Sequence, residues 1–370
     1  DLHLSLRRQR QMCIRDRRRA LGLEIGTTTI KIVELVKDKA NRISLENYGL
    51  LNNYGHLERI NDAFQTSSLR LMEEDVSHYI RKLVERARFK TRDVGMTLPV
   101  YSTFVTVFEM PPMPDKELKK AVPFQARQVV PSPFSEVVID WIKIEPSHEE
   151  ILYRKLNNSL IFLIAVSKDV IARYRRIAQD ASLNLVSLEL ETLSQGRAVL
   201  GNDKVPTFIL DLGSRVTNFS IFDNGFLRMN KFFDLASGEI TQAIANGLRV
   251  SVWKAEEIKK RNGLKSEGGE IEIPNLIYPI LDAIINEAKK LISLYQERTG
   301  RKIEKVILAG SSSRMPGLLE YLSKEMPEVV VSQANAFARI NYPDDWLPII
   351  KGIQSSFGPV NGIASKILLE

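Results

Sequence analysis

Apolar residues run from Leu21 to Leu35 in two extended stretches on either side of Gly26, rich in Ile, Val and Thr, which predicts two strands joined by a tight turn. Ile43–Leu51 predicts a third strand. Over Asp75–Phe89 the period changes. Val76, Tyr79, Ile80, Leu83, Val84 and Ala87 recur at helical spacing and leave a basic solvent face. Arg86, Arg88, Lys90 and Arg92 on and beyond that face suit either plain solvation or an acidic partner. Strand character returns over Val94–Val107.

The texture then changes. The cluster Met110-Pro111-Pro112-Met113-Pro114 suits a connection between subdomains. Asp115 is a good N-cap for a helix through Val129, which Pro123 is expected to kink or divide and which Pro131 and Pro133 end. Strands are expected at Val137–Ile144 and Ser159–Val166 with a hydrophilic hairpin between them, then a helix over Ser167–Ala181. Leu183–Leu190 leads into a helix near Glu191–Leu200. A second β-rich segment begins at Val205-Pro206-Thr207. Helices follow at Glu239–Gly247, Ser251–Arg261 and Asp282–Arg298, then a buried strand at Lys305–Ala309 and a helix from about Pro316. The last helix, Val360–Leu369, is too short for a membrane anchor.

The two β-rich segments open alike. Leu23-Glu24-Ile25-Gly26-Thr27-Thr28-Thr29-Ile30-Lys31 and Leu210-Asp211-Leu212-Gly213-Ser214-Arg215-Val216-Thr217-Asn218 share an aliphatic strand, an acid, an aliphatic, a glycine, small hydroxyl residues and a second strand. The acids stand 187 residues apart, about half of the 370-residue chain. A repeat at half length predicts two similar lobes. Glycine allows a tight turn and close approach of a ligand, and successive N–H groups and hydroxyls make a donor set for phosphate oxygens. An acid two residues before each glycine is placed to hold magnesium through water. Two ordinary charged hairpins are the plainer alternative. Walker A, GxGxxG, GxSxG and HExxH patterns are absent.

Composition narrows the class. The chain is 44% hydrophobic and 26% charged, and its longest apolar run, near Leu160–Val166, is far short of the roughly 20 residues a membrane-spanning helix needs. Of the net charge of +7, residues 1–19 carry +5. The string from Arg7 to Asp16 resembles translated sequencing-adapter sequence, and residues 1–19 are read as a non-native or disordered basic segment. The remaining +2 gives no reason to expect a nucleic-acid partner. Cys13, the single cysteine, lies in that segment, so disulfides and thiolate–zinc sites are not expected, and the four scattered histidines show no metal-binding pair.

The two turns, together with Ala309-Gly310-Ser311-Ser312-Ser313, resemble the phosphate-1, phosphate-2 and adenosine motifs of the actin/chaperone/sugar-kinase superfamily. Within it the chain resembles the PilM family of type IV pilus assembly, related to the division protein FtsA. Met110-Pro111-Pro112-Met113, Glu117-Leu118-Lys119-Lys120-Ala121, Asp140-Trp141, Ser237-Gly238-Glu239-Ile240 and Ala255-Glu256-Glu257-Ile258-Lys259 carry that match. The resemblance implies an α/β, actin-like two-lobed fold of duplicated ribonuclease-H-like domains. Residues 20–204 would form lobe 1 (1A, with a 1C insert at about 110–185) and residues 205–350 lobe 2 (2A, with 2B at about 236–304). Residues 351–370 would return to lobe 1.

The resemblance also implies ATP and Mg2+ in the cleft. Gly26, Thr27, Thr28, Thr29 and Lys31 would take the phosphate-1 side, and Asp211, Gly213, Ser214 and Thr217 the phosphate-2 side. Gly238, Glu256 and Lys259 would complete the nucleotide site toward the ribose, and Gly310, Ser311 and Ser312 would lie against adenine. Glu256 and Lys259 also suit a solvent-exposed helical ion pair. Asp211 and Glu24 are the metal candidates, and Glu189 and Glu191 suit either a general base or a structural role at the hinge. The implied partners are the PilN N-terminal tail and the pilus platform and motor proteins. The implied location is cytoplasmic, at the inner face of the cytoplasmic membrane through PilN and without direct insertion. ATP turnover is expected to be slow or absent. A sugar- or acetate-kinase-like phosphotransferase and an FtsA-like division filament protein are the alternatives.

Overall fold

The computed structural model describes residues 18–52, 73–265 and 272–370. Strands β1 (Arg18–Ile25), β2 (Thr29–Lys37) and β3 (Ile43–Asn52) lead to helix α1 (Glu73–Ala87) and β4 (Asp93–Leu98). An insert follows, comprising β5 (Thr103–Met110), α2 (Asp115–Val129), β6 (Val137–Ile144), α3 (His148–Arg154) and β7 (Ser159–Ser167). Helix α4 (Lys168–Asp180), β8 (Asn184–Leu190) and α5 (Glu191–Val199) complete the first half. The second half runs β9 (Thr207–Leu212), β10 (Thr217–Asp223), β11 (Phe226–Phe233), α6 (Ser237–Leu248), α7 (Val252–Arg261), α8 (Ile273–Thr299), β12 (Lys305–Ala309), α9 (Leu318–Glu325) and β13 (Val330–Gln333). Helices α10 (Leu347–Ile353) and α11 (Gly358–Leu369) close the described chain.

The sequence repeat becomes a repeat of topology. One sheet is ordered β3-β2-β1-β4-β8 and the other β11-β10-β9-β12-β13. In each, an antiparallel three-strand meander is extended by two parallel strands. Strands β2 and β10 are buried along nearly their whole length, including the polar Lys31, Glu34, Thr217, Asn218, Ser220 and Asp223. Helices α1 and α4 cover one face of the first sheet through Val76, Ile80, Val84, Tyr174 and Ile177. The other face packs on Ile350, Phe357, Val360 and Ala364 of the C-terminal segment.

Helix α11 sits against that face at backbone distance. A Cβ at Gly22 of β1 would lie 1.9 Å from the Val360 carbonyl oxygen, and one at Gly362 would lie 1.8 Å from that of Ser194 in α5. Only glycine permits such an approach.

Several local expectations change. Arg18 and Arg19, expected within the disordered basic segment, are strand residues; they pair with Lys37 and Val36, and Arg19 bridges to Glu46 at 3.3 Å. The rest of that segment, including Cys13, lies outside the described residues, as does His56. The run Val94–Val107 is two strands of different sheets, because Pro99 has no N–H for a ladder and a 3-10 turn follows it. The expected hydrophilic hairpin holds α3, capped by the Ser147 hydroxyl on the Glu150 N–H.

Pro114, not Asp115, is the N-cap of α2, and Asp115 serves as an acid in its first turn. Pro123 does not divide this helix: the Lys119 carbonyl it deprives of a donor is on an exposed residue, within reach of water. Helix α8 starts well before Asp282, with Pro274 in its first turn and Pro279 opposite the exposed Asn275. Pro316 precedes α9 rather than opening it, since Gly317 at φ 81° intervenes as N-cap.

Gly362→Ala is expected to lower the urea unfolding midpoint, with a loss of about 2 kcal/mol or more as α5 and α11 are forced apart. An unchanged midpoint would refute the close packing.

Candidate functional site

The parallel strands of both sheets end at one cavity. Glu24 lies one residue from the end of β1, Asp211 one residue from the end of β9, Glu191 directly after β8 and Gly310 directly after β12. Ligand sites of open α/β sheets form at such carboxyl ends. Gly26, Thr27, Thr28 and Thr29 line the cavity from one side, and Gly213, Ser214 and Arg215 from the other, with Lys31, Tyr101, Asn218, Ser311, Ser356 and Pro359 around them. The two turns touch: Thr28 Oγ1 and Ser214 Oγ are 2.7 Å apart. The cavity volume is about 80 Å³, room for several waters or a phosphate group.

Each turn is held by its own backbone. The Gly26 N–H donates to the Thr29 carbonyl at 2.8 Å. The carbonyls of Gly213 and Ser214 accept the N–H groups of Ser237 and Gly238 at 3.0 and 2.9 Å, which docks the second turn on the start of α6. Gly310 adopts φ 96°, and a Cβ there would fall 2.5 Å from Asp211 Oδ1. This glycine therefore lets the third turn close over the acid.

Charge in the cavity is unbalanced. Lys31, the cross-strand partner of Glu24, donates to Glu24 Oε1 at 2.8 Å. Glu24 Oε2 is buried without a partner. Gln195 donates to Asp211 Oδ2 at 2.5 Å, and the Val100 N–H donates to Glu191 Oε1 at 2.9 Å. Burial first, and the charges of Glu24 and Asp211 next, push Glu191 up to about 8 despite the Val100 donor and Lys31. Burial also raises Asp211 to about 6, with the charge of Glu24 adding to it and Lys31 and Gln195 opposing. Three carboxyl groups thus crowd beside one ammonium, and Glu191 lessens their repulsion by keeping its proton near neutrality. Across the cavity Arg215 lies 4.7 Å from the centre of the Tyr101 ring.

A family model described as type IV pilus assembly protein PilM matches residues 22–347. The chain belongs to the PilM family. A solved PilM–PilN type IV pilus biogenesis complex superposes with a TM-score of 0.77 at 21% identity, covering 95% of this chain and 98% of that one. The cell division protein FtsA of Bacillus subtilis is 25% identical over 270 residues, 66% of this chain. MreB5 of Spiroplasma citri, solved bound to ADP, superposes at TM-score 0.51 and 12% identity over 95% of each chain. The chain spans 58% of the Bacillus FtsA and 45% of the Neisseria meningitidis FtsA it matches. The actin-like two-lobed α/β class expected from the sequence is the fold of this PilM-family chain.

Several expected site residues stand apart from the cavity. Glu189 is bound by Arg197 at 2.6 and 2.8 Å, by the Ser194 hydroxyl and by Lys366 of α11 at 3.3 Å. Burial opposes its ionisation, but these donors hold it below the usual carboxylate range. Of the two readings for Glu189, the geometry favours a tie between α5 and α11 over a general base. Thr217 donates to the Leu235 carbonyl, and the N–H of Gly238 is spent on Ser214. Ser312 is buried outside the cavity lining. Glu256 and Lys259 do form an ion pair, at 2.7 Å, but it is buried rather than solvent-exposed and is tied to the Thr241 hydroxyl.

Tyr101, Gln195 and Arg215 were not singled out from sequence. Gln195 follows Glu191 by four residues, and this helical spacing was a usable signal. Arg215 lay unassigned inside the second turn, and Tyr101 belongs to no motif.

The raised acids make stability pH-dependent. Between the ordinary value of 4.5 and about 8 the unfolded chain loses the Glu191 proton while the folded one keeps it, so stability falls as pH rises through that window. Glu191→Gln keeps an acceptor for Val100. It is expected to raise Tm by several degrees at pH 8.5 and by little at pH 4.5. An equal effect at both values would disprove the shift.

Proposed function

We propose that the chain is an assembly scaffold of a type IV pilus platform that binds ATP with Mg2+ between its lobes and the PilN cytoplasmic tail on lobe 1. The contact of the two turns over three clustered carboxylates is the observation that carries the nucleotide part. In this reading Thr27, Thr28 and Thr29 and the turn at Gly213–Ser214 offer hydroxyl and backbone donors to phosphate oxygens, with Lys31 and Arg215 supplying positive charge. Among the described residues no group of three or more His, Cys, Asp or Glu side chains is placed to hold a metal ion by itself. Magnesium, which keeps several waters and takes phosphate oxygens, suits the two acids Asp211 and Glu24, and the unpartnered Glu24 Oε2 fits that role. When bound, the ion would neutralise charge between carboxylates and phosphates.

The cavity holds a phosphate group more readily than a whole nucleotide, so ATP entry requires the lobes to part. Gly310 and Ser311 face that opening, while Glu256 and Lys259 brace α6 against α7 behind it. Turnover is slow: Glu191, the acid nearest to a general base, carries a proton at neutral pH. The nucleotide then sets the interlobe angle rather than feeding chemistry.

The PilM–PilN complex among the similar structures supports the tail as partner. Exposed Phe124, Val138 and Ile142 on the insert provide apolar surface for it. No helix of the described residues is long and apolar enough to cross a membrane. PilN would thus hold the protein at the inner face of the cytoplasmic membrane, beside the platform and motor proteins.

Asp211→Ala is expected to abolish stabilisation by Mg-ATP in a thermal shift assay while the ligand-free protein stays folded; undiminished ATP stabilisation would overturn the site. Titration calorimetry with a PilN N-terminal peptide, with and without ATP, tests the partner. Heat of binding is expected in at least one state, and none in either would favour the phosphotransferase alternative.

A further inference from the structure

The insert is covalently part of lobe 1 but is packed on lobe 2. Its sheet, ordered β5-β7-β6, uses alternate residues of β7 for two different cores. Ile161, Leu163 and Ala165 face α2. Leu160 and Phe162, with Ile144 of β6, pack among Ile209, Phe222, Leu227 and Ile307 of the second sheet, in a cluster that Leu190 of β8 and Leu200 also join from lobe 1. Toward the core beneath α1 and α4 of the first sheet β7 contributes its end, through Ile164 and Val166.

Charged groups fix this docking in orientation. Glu150 of α3 is fully buried and takes both guanidinium nitrogens of Arg228 on β11, at 2.7 and 2.8 Å. Arg154 holds the same carboxylate from within the insert at 2.9 Å. These donors keep Glu150 ionised against its burial. Beside them Arg301 binds Asp223 at 2.9 and 3.1 Å and reaches Glu149 of α3. Asn224 donates to the Glu145 carbonyl at 2.9 Å, and the Tyr153 ring covers Gly300 at the end of α8. A bidentate buried pair fixes geometry, and the shared apolar core supplies adhesion.

We infer that the insert moves as a rigid part of lobe 2, hinging on lobe 1 at residues 99–102 and at Ser167. Those crossings are a 3-10 turn after Pro99 and the junction of β7 with α4. Any change in the interlobe angle therefore shears the insert across the first sheet. Tyr101, inside the first crossing, stacks under Arg215 in the cavity, which places the hinge beside the phosphate turns. On the reading that the PilN tail lies between insert and lobe 1, nucleotide and tail bind in a coupled manner, each altering the other's affinity by the same factor.

Paired spin labels test the rigid-body claim without a ligand. With Cys13→Ser as background, labels go on exposed Lys119→Cys in the insert, Lys82→Cys in lobe 1 and Lys324→Cys in lobe 2. The 119–324 distance distribution is expected to be at most about half as wide as the 82–119 and 82–324 distributions. A 119–324 distribution as wide as the 82–119 one, or wider, overturns the inference. Glu150→Gln combined with Arg228→Met leaves no unpaired buried charge and is expected to broaden 119–324; no broadening removes the ion pair from the argument. With Mg-ATP, 82–119 and 82–324 are expected to shift together while 119–324 stays fixed. If ATP fails to bind, the nucleotide reading falls, and the insert's attachment is still decided by the ligand-free widths.

Discussion

Three carboxylates held against one ammonium at the meeting of two sheets form the constraint around which this molecule is arranged. Glu24 and Asp211 are set in β1 and β9 by pairing with Lys31 and Asn218, which also line the cavity, and Glu191 opens α5 directly after β8. Burial and mutual repulsion keep Glu191 and part of the Asp211 population protonated near neutrality.

The duplication was legible because it is written in residue types that have few substitutes. A glycine after an acid–aliphatic pair, flanked by small hydroxyls, fixes a turn wherever it occurs, and its recurrence at half the chain length exposed the lobes. The order of strands in the two sheets follows that repeat. The insert was visible as a break in texture at the prolines, but its docking was not. Glu150 and Arg228 stand 78 residues apart, and nothing in either neighbourhood marks them as partners.

The expected site residues that stand apart from the cavity do so for a common physical reason. Thr217, Gly238, Glu256 and Lys259 carry the right chemistry, yet each has its polar groups committed to a neighbour within lobe 2. Sequence shows which donors exist, not which are already spent. Glu189 and Glu191 illustrate this within three residues. Strand alternation sends one toward Arg197 and Lys366 and the helix start sends the other into the cavity. Proline misled in the other direction. Pro123 and Pro279 sit where the carbonyl they orphan belongs to an exposed residue, so both helices continue through them.

The backbone contact between α11 and β1 ties the closing of the first sheet to a segment far along the chain. One face of the first sheet is covered only when Val360 reaches Gly22. Lobe 2 closes its own core from residues between Phe208 and Met326 and needs nothing from that helix. The core of the second half thus closes within one continuous stretch of chain, whereas the first sheet is completed by a contact of long sequence separation and carries the loop-closure entropy of that distance.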